Sequence, residues 1–163
     1  MENIDDLQEK VELEPITENK PSTVSTFLTL GREYLSKFQM PAGERERFLQ
    51  NILARQGEAD RWLLLLKYQG RSLGFVHIKI DKDERPSWGF ILEFYIVPDK
   101  RGLGWGSELF SLVWKILQDQ GVQSIWLLAS SPSDSFWRWL GFQETGEIED
   151  GQKVMVLSMS TTS

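Results

Sequence analysis

The chain has 163 residues, 40% apolar, 12% aromatic and 26% charged, with a net charge of −6, which suits one domain around a single core. It has no cysteine and one histidine, so disulfides, thiolate metal sites, cysteine nucleophiles and multi-histidine metal centres are excluded. The acidic balance argues against general nucleic-acid binding, which needs a basic face to meet phosphates.

Residues 1–10, MENIDDLQEK, are acidic and polar, unlike a signal or transit peptide, and are expected to form a flexible lead-in. The tail STTS, 160–163, is expected to fray, leaving one domain over 11–159. No apolar run approaches the length of a membrane span, so a cytoplasmic protein with no membrane partner is expected.

VELEPIT (11–17) alternates apolar and acidic residues, the period of a half-exposed strand. From Pro21 to Phe38, apolar side chains recur at helical spacing. A second helix is predicted from Pro41, a residue suited to a first helical position, to Gly57. RWLLLLKY reads as a strand buried on both faces, and QGR as a tight turn into the strand SLGFVHIKI. DKDERP is expected to be a solvated hairpin tip before the strand SWGFILEFYIV.

Next come closely spaced glycines and a helix with the stripe Leu109, Leu112, Val113, Ile116 and Leu117, stopped by Gly121. QSIWLLA is a strand, SPSDSFWRWLGF a short helix ended by Gly141, and KVMVLSM a closing strand. Antiparallel hairpins followed by βαβ units predict an α/β (α+β) fold with a mixed, mostly antiparallel sheet and helices on both faces.

The glycines at 102, 104 and 106 lie between a strand end and a helix start. Main-chain N–H groups there lack helical partners and, with the helix dipole, favour an anion such as a pyrophosphate. Glycine lets phosphate oxygens approach without meeting a Cβ, and Arg101 adds positive charge. A Walker A loop is excluded by Gly106-Ser107-Glu108, and a dinucleotide fingerprint by Ser107. The competing reading is a glycine-rich turn that merely packs closely.

Arg101-Gly102-Leu103-Gly104-Trp105-Gly106 resembles the R-x-x-G-x-G/A acetyl-CoA signature of the GNAT superfamily of N-acetyltransferases. Trp139-Leu140-Gly141-Phe142 is similar to that family's late Leu-Gly-Phe element, and the element order matches over about 11–159. The resemblance implies acetyl-CoA as co-substrate, no metal, and a primary amine of a small molecule or peptide as acceptor. It further implies two splayed strands forming the cofactor cleft, and a monomer or homodimer.

On that reading, amides of Leu103, Gly104, Trp105, Gly106 and Ser107 hold the pyrophosphate beside Arg101 and Gly102. The pantetheine arm bonds to free backbone groups around Phe94, Ile96 and Val97, much as a peptide adds to a sheet edge. Glu93 is the implied base, although some relatives place their glutamate one residue earlier, where this chain has Leu92. A one-residue offset turns a strand side chain to the other face unless a bulge restores it. Otherwise Glu93 is an ordinary paired carboxylate.

Many relatives carry a tyrosine that protonates the departing thiolate where this chain has Trp137, and an asparagine on the cofactor near Ser130. Trp137 cannot serve as an acid, and both it and Ser130 are implied only as cofactor contacts. Phe136, Trp137 and Trp139 fit either a substrate cleft or the core. His77, on a strand among apolar residues, reads as a satisfied or surface histidine rather than a base. Loss of the acid keeps open a binding module, a sensor of acyl-CoA with little turnover. Transfer of another acyl group, or acetylation of a protein N-terminus, is a third reading.

Overall fold

A computed structural model of the protein describes residues 11–159. The lead-in and tail expected at 1–10 and 160–163 lie outside the described residues. Among these, seven strands form one mixed sheet: β1 (Val11–Pro15), β2 (Arg61–Tyr68), β3 (Arg71–Ile80), β4 (Gly89–Ile96), β5 (Ser124–Ala129), β6 (Gln143–Glu149) and β7 (Gln152–Ser158). Their order is β1-β2-β3-β4-β5-β7-β6. The helices are α1 (Pro21–Leu35), α2 (Ala42–Ala54), α3 (Trp105–Asp119) and α4 (Asp134–Trp139).

Antiparallel pairs join β1 to β2, β5 to β7 and β6 to β7, whereas β4 and β5 run parallel. The parallel register spans Gly89 opposite Ile125 to Ile91 opposite Leu127, although β4 continues to Ile96 and β5 to Ala129. Between β2 and β3, Gln69 and Gly70 both take left-handed backbone, φ 51° and 78°. Such a two-residue turn matches the twist of a hairpin.

The chain divides into two compact units, with β3, β4 and α3 each contributing to both. The first holds the described residues through His77 together with Glu93–Leu109. Here the apolar faces of α1 and α2 close over β2 and β3. Phe27, wholly buried, stands edge-on to Phe75 with ring centres 5.2 Å apart, and Tyr34 meets both Phe75 and Tyr95. A Cβ at Gly31 would come 2.6 Å from Leu49 Cδ2, so the small residue sets how closely the two helices pack. At Gly74 a Cβ would lie 2.0 Å from the Tyr95 carbonyl oxygen, in rigid backbone.

The second unit holds Ile78–Leu92 and the described residues from Phe110 on. Trp126 of β5 stacks on Phe90 of β4 at 3.9 Å, and the Arg85 guanidinium lies 4.1 Å from the Trp126 ring centre. The C-terminus of α3 is closed by the N–H of Val122 donating to Leu117 O, with Gly121 at φ 79°, the geometry of a glycine C-terminal cap. Asp81 anchors the hairpin tip. Buried itself, it accepts the main-chain N–H of Asp83 at 3.0 Å and of Arg85 at 2.9 Å. Burial alone pushes its carboxyl up, but these amides outweigh burial and hold it below the usual range.

Three sequence expectations change. Strand β6, QETGEIE, has no counterpart in the sequence reading, because all but its last residue is exposed and it carries no apolar alternation. It exists by pairing with β7, with a register shift between Glu144 and Ile148. Pro41 stands just before α2 as its N-cap, not as its first helical residue. DKDERP is likewise more than a solvated tip, since it closes around the Asp81 carboxylate.

Gly74→Ala forces a methyl into the Tyr95 carbonyl, and overpacking of this kind costs roughly 1–3 kcal/mol. Urea unfolding should show a lower midpoint with an unchanged slope; a midpoint equal to the parent's would contradict the close approach.

Candidate active site

Strand β4 ends at Ile96, a single 3₁₀ turn follows at Pro98–Lys100, and α3 begins at Trp105. Between them Gly102 and Gly104 adopt φ 76° and 93°, a region most side chains avoid. A Cβ at either would meet nothing within 4 Å. The glycines therefore satisfy the backbone conformation and face open space, which rules out a turn kept small by close packing of the protein on itself.

The first α-helical bond of α3 is Glu108 N–H to Gly104 O, at 3.0 Å. Among the described residues, the amides of 102–107 make no hydrogen bond to the protein. Consecutive unpaired donors at the positive end of a four-turn helix form an anion seat. Leu103 is exposed, while Trp105, Gly106 and Ser107 are half-buried. Beside the loop, Val11, Tyr68, Leu103, Gly104, Trp105 and Glu108 line a cavity of about 420 Å³.

Arg101 clamps this loop to the strand before it. Its Nε donates to Ile96 O at 2.8 Å, and the guanidinium lies 5.3 Å from the Tyr95 ring centre. The N–H of Val97 donates to Leu73 O at 2.9 Å, and its carbonyl accepts the Lys100 N–H at 3.0 Å. Val97 thus corrects one expectation: its N–H is spent on β3. Successive peptide N–H groups in a strand point to opposite edges, so those of Ile96 and Phe94 face away from β3.

Glu93 is not solvent-exposed but 8% accessible, and it is one end of a chain of polar contacts across three neighbouring strands. His77 Nδ1 lies 2.5 Å from Glu93 Oε2, and Arg61 Nη1 lies 2.7 Å from His77 Nε2. Arg61 Nε donates in turn to Glu58 Oε2 at 3.2 Å. His77, 2% accessible, is therefore a fully engaged core histidine. Its partners Arg61 and Glu93 are 16 residues to either side, and only the strand register brings them together.

Two phenols share this face. Burial, and then the Glu93 charge, push the Tyr34 hydroxyl well above its ordinary range. Burial, and then the neighbouring Glu33 carboxylate, take Tyr95 up to about 12. Raised phenols stay protonated at neutral pH and are poor proton donors. Lys37 sits over both rings, 5.7 Å from Tyr34 and 5.6 Å from Tyr95, and burial followed by the Arg101 charge lowers its ammonium.

The remaining expected residues belong to the second unit. Ser130 is exposed, and its carbonyl accepts the Ser133 hydroxyl at 2.6 Å and the Asp134 N–H at 3.1 Å. Trp137 is 7% accessible and packs edge-on against Phe136, Phe110 and Phe142. The structure therefore gives its ring a core role, while Trp139 is 74% exposed. Among the described residues, no group of three or more histidines or carboxylates is arranged to hold a metal. No described helix is long and apolar enough to cross a membrane.

Comparison with known proteins agrees with this geometry. The fold is shared with the PaiA N-acetyltransferase from Thermoplasma acidophilum in complex with coenzyme A, at 16% identity and TM-score 0.71, over 91% of this chain and 98% of that one. An aminoglycoside 6'-N-acetyltransferase complexed with coenzyme A gives 11% identity and TM-score 0.73, over 93% and 99%. The ribosomal-protein-S18-alanine N-acetyltransferase from Escherichia coli gives 17% and 0.66, over 94% and 96%. No curated protein matches the sequence. The model of the acetyltransferase (GNAT) family matches residues 27–142, and with the unpaired amides behind Arg101 this places the chain in the GNAT acetyltransferase family.

Proposed function

We propose that the protein transfers an acetyl group from acetyl-CoA to a primary amine of a small molecule or peptide. The observation that carries this reading is the row of unbonded amides at 102–107, opened by two left-handed glycines. Those donors fit the diphosphate of coenzyme A, with Arg101 fixing the loop and not consuming any of its amides. The N–H of Ile96, turned from β3, suits an extended pantetheine arm or a developing oxyanion.

The amine nitrogen attacks the thioester carbonyl, the C–S bond breaks, and the thiolate leaves with the bonding pair. Only the neutral amine attacks, and at pH 7 about one lysine-like amine in 10³ is neutral. Glu93 takes the displaced proton in this reading, directly or through water. Trp137, at the implied acid position, carries no acid and is buried among phenylalanines, and burial makes the Tyr34 hydroxyl a weaker acid. A thiol has an ordinary pKa near 8.5, about 1.5 units above neutrality, so water suffices to protonate the thiolate.

One observation favours a second reading. With tryptophan buried at the implied acid position, the chain fits a sensor that binds acyl-CoA without turnover. Thiol release with a panel of amines separates the two.

Titration calorimetry should show micromolar binding of acetyl-CoA and none by Gly104→Glu, whose side chain fills the anion seat with a negative charge. Equal binding by both would remove the seat. Glu93→Gln should lower kcat by about 10²–10⁴ with the affinity for acetyl-CoA retained; an unchanged kcat would assign Glu93 to structure alone.

A further inference from the structure

We propose that Arg61 and His77 are positioning residues that fix the orientation of Glu93 as the base and prevent it from passing its proton inward. This rests on the transferase reading for its consequence, but its geometry stands apart from that reading. A guanidinium has only donors, so Arg61 Nη1 at 2.7 Å requires a lone pair on His77 Nε2. The single ring proton is then on Nδ1, where it donates to Glu93 Oε2 at 2.5 Å.

The consequence is directional. Nδ1 already carries its proton and Nε2 is capped, so the imidazole cannot accept a proton from Glu93. The Arg61 charge polarises the neutral ring, which strengthens the Nδ1–H donation to Glu93 and so its hold on the carboxyl group. Oε2 is occupied, and among the described residues Oε1 accepts no protein hydrogen bond, so Oε1 is the oxygen left for the amine proton. The row takes one residue from each of β2, β3 and β4, and its members are all buried, which fixes the carboxylate plane from behind. At the outer end, Glu58 holds the Arg61 guanidinium from the exposed side.

The chain contains a single histidine, so one set of ring signals reports the arrangement. In the full-length protein labelled with nitrogen-15 histidine at pH 7, Nδ1 should appear protonated and Nε2 unprotonated. A protonated Nε2 overturns the proposal. In Arg61→Met the cap is lost, and the Nε2–H tautomer should become populated.

The functional arm measures thiol release from acetyl-CoA with spermidine, kanamycin and an unblocked peptide as acceptors. Arg61→Met and His77→Phe should lower kcat at least tenfold with KM for acetyl-CoA within twofold. His77→Asn should recover part of the loss, because its amide N–H sits where Nδ1–H was; a merely structural histidine would give no such rescue. If His77→Phe does not fold, Arg61→Met and His77→Asn carry the comparison. Folded variants with kcat within twofold of the parent overturn the positioning role and leave the transferase reading intact. A parent that binds acetyl-CoA but releases no thiol overturns that reading and the role with it, while the ring signals still report whether the chain of bonds exists.

Discussion

The constraint on which the site depends is the hydrogen-bond deficit at the start of α3. Every α-helix begins with N–H groups that have no intrahelical partner, and most chains cap some of them with a side chain. Here the stretch from 102 to 107 is left open, and Gly102 and Gly104 pay for it with left-handed backbone. The preceding strand is arranged to suit. Val97 ties the end of β4 to β3, and Arg101 reaches back to Ile96 O, so the loop is held without using its amides. An exposed donor row is tolerated by hydration.

The second element of the site follows from strand register. Buried charges are stable only when paired, and one left without a partner costs several kcal/mol. Glu93 is paired through His77 to Arg61, so the fold tolerates a carboxylate beneath the α1 and α2 face. Burial, and then the Glu93 charge, also raise the Tyr34 hydroxyl and make it a weaker acid.

How much of this was legible in the sequence depends on whether the signal was local. Arg101 to Gly106 is a local backbone device, so the open glycine turn before α3 could be read from spacing, as could Gly121 and Gly141 as helix ends. The buried run of β2 and the stripes of α1 to α3 were equally visible as periodicity. Strand β6 was not, because a strand with no buried face leaves no periodic trace. The His77 row was hidden for another reason: its three members are 16 residues apart on separate strands, and only pairing register joins them. Trp137 left both a cleft and a core open on sequence grounds, and the packing of Phe110 and Phe142 around it selects the core.

The most direct measurement is a titration of amide resonances with coenzyme A. Donors at 102–107 that exchange water for a diphosphate should show the largest shifts in the protein, saturating together with a single affinity. Shifts confined to other segments, with these six amides unmoved at saturation, would contradict the account.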